Sequence, residues 1–215
     1  MKKVYVVGEA KHYANFIEDM SLVDNLEDAD IVVFTGGEDV DPSLYGEKKH
    51  ETTYSNIERD LEEKAIFEKI KTNQLVVIIC RGSQLMCVLN GGKLVQNCTN
   101  HAIWGTHAIV CFGGQENEVY EITSTHHQMQ YPYNLDNKDY TLEAISYNVR
   151  SNKYEGGGID SFDLRNMGEP EIVIYHKENM PRCIAIQGHP EYMRKEAPVV
   201  TYLNKLINNN LKLVK

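Results

Sequence analysis

The chain has 215 residues, with 22 Lys and Arg against 31 Asp and Glu, and a formal net charge of −9. That length supports one full-sized domain with a core of its own, and 42% hydrophobic with 25% charged residues excludes wholesale disorder. The acidic balance leaves no basic surplus to neutralise phosphates, so no nucleic-acid partner is expected, and no apolar run approaches the length of a bilayer span, so no membrane association is expected.

Short apolar runs alternate with stretches of helical period, the pattern of an α/β domain with a largely parallel sheet. Val4–Val7 reads as a first buried strand; it stops at Gly8-Glu9, too short for a signal-peptide core, and the expected location is cytoplasmic. Tyr13, Phe16, Ile17 and Met20 recur at helical spacing and predict a helix face. Ile31–Phe34 predicts a second strand ending in Thr35-Gly36-Gly37. A long helix follows from Asn56 to Lys71, with Ile57, Leu61, Ala65, Ile66 and Ile70 inward and the acidic residues of Glu58–Glu68 as a solvated face. Leu75–Ile79 is wholly apolar, which predicts a central strand covered on both sides. It runs into Cys80-Arg81-Gly82 and an apolar helix, Leu85 to Leu89, closed by Gly91-Gly92.

The second half predicts a strand pair, His107–Phe112 and Val119–Thr123, around Gly113-Gly114. Strands follow at Thr141–Tyr147, Glu171–His176 and Cys183–Gln187, then a final helix from Ala197 to Asn209. Between Val149 and Glu169 the sequence is polar and reads as a long surface loop with Tyr154 and Phe162 as aromatic anchors, shaping the acceptor side of a site or docking a partner. A single domain over residues 1–215 is expected.

The five cysteines include no CxxC pair, which argues against a disulfide framework or a zinc finger. Cys80 stands where a buried strand turns into a helix, with Gly82 two residues on. That is the layout of a nucleophile elbow. The helix N-terminus favours the thiolate, and the Arg81 N–H would meet a developing oxyanion. The segment Cys183 to Tyr192 then delivers His189 and Glu191 beyond the carboxyl end of another strand, where catalytic groups of open α/β sheets collect. Thiol, base and orienting carboxylate are thereby all supplied. His101 and His107, flanking Trp104, are assigned structural or surface roles, and no metal or other cofactor is expected because no carboxylate or thiol cluster has ligand spacing around them.

The segments Cys80-Arg81-Gly82-Ser83-Gln84 and His189-Pro190-Glu191 resemble the class I glutamine amidotransferase domain. The branch containing γ-glutamyl-γ-aminobutyrate hydrolases is similar in further motifs. These are Gly36-Gly37-Glu38-Asp39-Val40-Asp41-Pro42-Ser43-Leu44-Tyr45, Arg59-Asp60, Gly91-Gly92-Lys93-Leu94-Val95-Gln96 and Ser124-Thr125-His126-His127-Gln128. The resemblance implies a three-layer sandwich, flavodoxin-like, with a mixed and mainly parallel central sheet. It implies that Cys80 attacks the side-chain amide of glutamine or another γ-glutamyl amine, that His189 serves as base and then acid, and that Glu191 orients it. It places the second oxyanion N–H at the Gly36-Gly37 turn, on Gly37. Gly36, Gln84, His126, His127 and Gln128 would line the pocket for the substrate's α-amino and α-carboxylate groups. Either water accepts the γ-glutamyl group in a free-standing hydrolase, or a separate synthase subunit receives the ammonia. A catalytically silent module that binds or regulates a partner is the alternative class. Two positions depart from the pattern. Ile78 replaces the usual elbow Gly and is expected to crowd the turn, while Gly188 replaces an aromatic residue and is expected to widen the pocket floor.

Overall fold

The computed structural model describes residues 1–114, 116–156 and 164–215. The first half contributes strands β1 (Lys2–Val6), β2 (Met20–Leu22), β3 (Ile31–Phe34) and β4 (Leu75–Ile79), with helix α1 (Ile57–Phe67) before β4 and helix α2 (Arg81–Leu89) after it. Then come the short strands β5 (Lys93–Val95) and β6 (Asn97–Cys98), the long hairpin β7 (Ala102–Cys111) and β8 (Glu118–Thr125), and β9 (Met129–Tyr131). Strands β10 (Tyr140–Ser146), β11 (Tyr154–Glu155), β12 (Pro170–Tyr175) and β13 (Arg182–Ile186) follow, and helix α3 (Pro198–Val214) closes the chain.

Nine of these strands form one mixed sheet in the order β2-β1-β3-β4-β13-β12-β10-β7-β8. In its parallel half, β2 through β13, β4 is an interior strand, paired with β3 on one side and β13 on the other. The other half is antiparallel, continuing from β13 through β12 and β10 to the β7–β8 hairpin. Side chains alternate along β4 as a pleated strand requires. Leu75, Val77 and Ile79 pack toward α3, where Val199, Val200, Leu203 and Ile207 meet them. Val76 and Ile78 face the opposite layer with Phe67 of α1 and Leu85 and Met86 of α2. The result is the expected three-layer α/β arrangement, and it leaves the carboxyl ends of β3, β4 and β13 side by side.

Element ends follow local chemistry. The Asn56 side chain accepts from the Arg59 N–H at 3.2 Å and caps α1. Pro198 occupies the first turn of α3, where its missing N–H costs nothing.

Two sequence expectations are corrected here. The Tyr13–Met20 stretch is not a helix: Lys11–Ala14 makes one 3₁₀ turn, and Met20–Leu22 is an edge strand. Tyr13, Phe16 and Ile17 are buried as their spacing required, but Asp19 adopts a left-handed φ of 50° and turns the chain into β2. The segment 149–169 is not simply a surface loop either. Tyr154 starts β11, pairs with Cys98 of β6, and is buried with its hydroxyl donating to Glu169 at 2.8 Å. Leu164 is buried in the same small cluster. Tyr154 is therefore a core residue, and a deletion of 152–166 would remove two core side chains. Phe162 and the central glycines Gly157 and Gly158 lie outside the described residues.

Candidate active site

Cys80 follows the last residue of β4 and adopts φ 53°, ψ −115°, a backbone conformation that L-residues rarely take. The turn is held from both sides. Its N–H donates to Ile186 O of β13 at 2.8 Å, and its carbonyl accepts from the Ser83 N–H at 2.9 Å and the Ser83 hydroxyl at 2.6 Å. Such over-determination is what a strained turn requires, at a cost of order 1–3 kcal/mol. Gly82 is the second requirement: a Cβ there would lie 2.6 Å from Ile78 Cγ2 and 3.1 Å from Thr35 O. The expected crowding by Ile78 does not arise, because its side chain is buried between the sheet and α2 and the missing Cβ of Gly82 makes room for it.

His189 sits beyond the end of β13, anchored by its N–H donating to Thr123 O at 3.1 Å. Its Nδ1 lies 2.7 Å from Glu191 Oε1, and its ring stacks on Tyr192 with centroids 4.9 Å apart. Cys80 neighbours the ring: a Cβ on Gly36 would lie within 3.5 Å of both Cys80 Cβ and His189 Cε1. Burial disfavours a charged ring, but the neighbouring Cys80 sulfur and the Glu191 carboxylate outweigh it and push His189 up to about 10. A protonated imidazole between a sulfur and a buried carboxylate is a proton donor ready for a leaving amine. Gly188 does not widen the floor. A Cβ at this position would meet Thr123 O at 2.6 Å and the Ile122 side chain at 2.8 Å, so glycine is there to let β8 approach.

The Gly36-Gly37 turn after β3 packs against the same pair. A Cβ on Gly36 would stand 3.3 Å from His189 Cε1 and 3.5 Å from Cys80 Cβ. At Gly37, with φ +148°, it would lie 2.0 Å from Arg59 Nη1. Only glycine fits either position, which brings the Gly37 backbone next to the elbow.

What holds this turn and the elbow together was not visible in the sequence. α1 turns polar residues inward: Asp60 and Glu63 are buried, whereas Leu61 and Ile57 face solvent. The expected inner face holds only at its far end, where Ile66 and Ile70 pack on the core, and fails at Ile57, Leu61 and Ala65. The reason is the Arg81 side chain, 2% exposed, which forms ion pairs with both Asp60 and Glu63. Arg59 completes the network, its Nε donating to Glu63 Oε1 at 2.9 Å and its Nη2 to Gly36 O at 2.9 Å. Asp60 Oδ2 also accepts from the Asp41 N–H at 2.7 Å. α1 thus clamps the elbow and the Gly36 turn through charge.

A cavity of about 220 Å³ opens at Cys80, lined by Gly37, Asp39, Tyr54, Arg81, Gln84, His126, His127 and Gln128 among others. That is small for a drug-like ligand and suits an amino-acid-sized one. A larger depression of about 720 Å³ at Met1, Asn15 and Lys195 has no nucleophile in its lining. Gln84 Nε2 donates to Gln128 O at 3.0 Å, and Gln128 Nε2 to Thr53 Oγ1 at 3.1 Å, so these amides brace the wall. His126 Nδ1 lies 2.8 Å from Gln128 O; burial and then the neighbouring His101 hold its ring well below the ordinary histidine range, hence neutral. His127 Nε2 lies 3.1 Å from Asp39 Oδ1, a carboxylate also held by the Tyr54 N–H at 2.8 Å. Asp39 was overlooked as a site residue, although it lies inside the Gly36–Tyr45 motif.

The structure therefore brings Cys80, His189 and Glu191 together, with Gly37, Arg81, Gln84, His126, His127 and Gln128 around one cavity. Gly36 lies outside that cavity, behind the reacting pair. Cys80 should accordingly be the one thiol alkylated rapidly by a diazo-ketone glutamine analogue, as peptide mass mapping would show. The other four are buried away from the cavity, and burial pushes the Cys87 and Cys111 thiols up to about 12. Modification of Cys87 or Cys98 with Cys80 spared would contradict this.

A family model described as Peptidase C26 matches residues 16–132. Protein NtpR of Enterococcus hirae is 37% identical over 81 residues, which is 37% of this chain and 34% of that protein. The glutamine amidotransferase-like protein YvdE of Lactococcus lactis subsp. lactis is 29% identical over 164 residues, covering 75% of this chain and 66% of the relative. The chain thus spans between about a third and just under two thirds of these relatives' lengths. Among solved structures, PurLQS from Thermotoga maritima superposes with a TM-score of 0.56 at 16% identity, covering 100% of both chains. A glutamine amidotransferase from the same organism gives 0.55 at 14% identity, covering 99% of this chain and 88% of that one. At such identities these likenesses establish the fold.

Proposed function

The chain belongs to the Peptidase C26 family, and from that premise we propose that it cleaves γ-glutamyl amides through a thioester on Cys80. The observation that carries this is Cys80 in the lining of an amino-acid-sized cavity, with the His189–Glu191 pair beside it. The Cys80 sulfur attacks the γ-amide carbon, with the N–H groups of Gly37 and Arg81 receiving the oxyanion. Arg81 is the first residue of α2, and the first-turn amides of a helix have no partner within it. Collapse of the intermediate breaks the C–N bond, and His189 delivers its proton to the departing ammonia or amine. Water, deprotonated by His189, then attacks the thioester and releases glutamate with the free thiol. Glu191 keeps Nδ1 occupied so that the opposite ring nitrogen faces the sulfur. The Asp39 carboxylate and the His127 ring face the substrate's α-amino and α-carboxylate groups, and Gln84, His126 and Gln128 form the wall behind them.

The motif match favours the γ-glutamyl hydrolase branch, with water as acceptor. The test is glutamate release by the purified protein from glutamine and from a series of γ-glutamyl amines. Turnover of at least one, fastest for a γ-glutamyl amine, is expected. No release from any of them by folded protein whose Cys80 remains alkylatable would sink the reading.

A further inference from the structure

Behind the His126 wall lies a second cluster that the proposed reaction does not use. His101 and His107 are six apart in the chain, an even spacing that puts both on the inner face. The irregular register of β7 between Ala102 and Gly105 shortens the span between them, so their ring centroids are 5.4 Å apart. They meet Glu171 of β12 there. All three are between 0% and 2% exposed, which overturns a surface role for the two histidines. His107 Nε2 lies 2.8 Å and His101 Nδ1 3.6 Å from Glu171 Oε1, and one ligand atom from each residue lies within 4.8 Å of the others. Behind them Glu169, also buried, places Oε2 3.2 Å from His101 Nε2. Glu169 is itself fixed by the N–H groups of Arg150 and Ser151 at 2.9 and 2.7 Å and by the Tyr154 hydroxyl.

We infer that His101, His107 and Glu171 form a binding site for one zinc ion, a structural centre independent of the proposed hydrolysis. Charge is the first argument. Two carboxylates are enclosed with no exposure, and burying ionised carboxylates is costly unless cations answer them. The Arg150 guanidinium does not reach them, its Nε donating to Asn100 O near the surface; what faces them is the two imidazoles. A divalent ion held by those imidazoles balances both carboxylates without a proton on either ring. Orphaned atoms are the second argument. His101 Nδ1 and Glu171 Oε2 have no hydrogen-bond partner, though both are fully buried. His101 Nδ1 stands 3.6 Å from Glu171 Oε1 and its Nε2 3.2 Å from Glu169 Oε2, and neither ring nitrogen forms a hydrogen bond. An ion between Nδ1 and Glu171 gives the orphaned nitrogen a partner.

The chemistry of the donors points to zinc. Two imidazoles and a carboxylate suit a borderline ion in tetrahedral coordination, whose ligand atoms stand about 3.3 Å apart for bonds of about 2.0–2.2 Å. The separations of 2.8 and 3.6 Å bracket that value. Glu171 Oε2, being free, can fill the fourth position by making the carboxylate bidentate. The Glu169–His101 pair is the carboxylate–histidine support that orients metal-bound imidazoles. The sequence showed neither glutamate as a ligand because both come from the β12 end, more than sixty residues from His101.

The experiment uses the full chain, stripped with chelator and dialysed against zinc, then against cobalt as a spectroscopic substitute. One equivalent of zinc per chain, retained through gel filtration, is expected, together with a cobalt d–d band of tetrahedral intensity. Glu171→Gln and His107→Ala should lose the band, while Glu169→Gln should keep it with affinity reduced about 10–100-fold. Cys80→Ser should retain the full equivalent. If the two ligand variants do not fold, the wild-type stoichiometry and the cobalt band still decide. A folded wild type that retains no ion and gives no band, or a metal that Cys80→Ser removes, would overturn the site.

Discussion

Cys80→Ala is expected to abolish glutamate release, with kcat falling by about a thousandfold or more, and His189→Ala should match it. The two act as one unit: a sulfur without a proton acceptor is weak, and the base has nothing to activate once the sulfur is gone. The double variant should therefore be no slower than either single one. Glu191→Gln should be milder, about ten- to a hundredfold, because the amide can still accept from Nδ1 while losing the charge that supports the imidazolium. The local backbone supplies a control. Alanine retains the Cβ that strains φ 53°, whereas Cys80→Gly relieves it, so the glycine variant should be about 1 kcal/mol more stable than the alanine one though equally inactive. Steady-state assays with thermal melts check both. Wild-type turnover after His189→Ala would remove the mechanism.

Two adjacent strands of the parallel half were legible because they are pure apolar runs: Ile31–Phe34 and Leu75–Ile79 have the bounds read from the sequence. Cys80, His189 and Glu191 were legible for a different reason. Each is a reactive group beyond a strand end with glycine or proline within two residues, where side-chain type and backbone signal coincide. The failures share a cause. Tyr13–Met20 has helical spacing, but one left-handed residue, Asp19, diverts the chain, and period alone does not register it. In α1, apolar residues were assigned inward by rule, whereas a buried guanidinium from another element draws Asp60 and Glu63 inward and leaves Ile57 and Leu61 outside. The His101–His107–Glu171 cluster depends on a bulge in β7 and on β12 lying two strands away in the sheet. Buried charge is specified by partners distant in sequence, and hydrophobic patterning carries no record of it.

The clamp from α1 to the elbow yields the largest expected effect on stability. Arg81→Met removes the cation from between Asp60 and Glu63, leaving two buried carboxylates of which only Glu63 keeps a cationic partner, Arg59. Breaking a buried ion pair from one side costs about 3–5 kcal/mol, which in a chain of this size lowers Tm by about 6–20 °C. Asp60→Asn should cost less, since Arg81 keeps Glu63 and the amide oxygen still accepts from the Asp41 N–H. The pH dependence separates the two. Burial, against the pull of the Asp41 N–H and Arg81, already raises the Asp60 carboxyl above its ordinary value, and loss of Arg81 raises it further. A raised folded-state value contributes stability below the unfolded value and loses it as pH rises through the folded one. Arg81→Met should therefore lie closest to wild type in melts at about pH 5 and furthest from it at about pH 8. For Asp60→Asn, which has no carboxyl left at this position, the difference from wild type should not widen as pH rises. Because Arg59 ties the same network to Gly36 O, Arg81→Met should also lower glutamate release in the part of the population that stays folded. A variant within 1 kcal/mol of wild type at both pH values would show that packing, not charge, holds the elbow against α1.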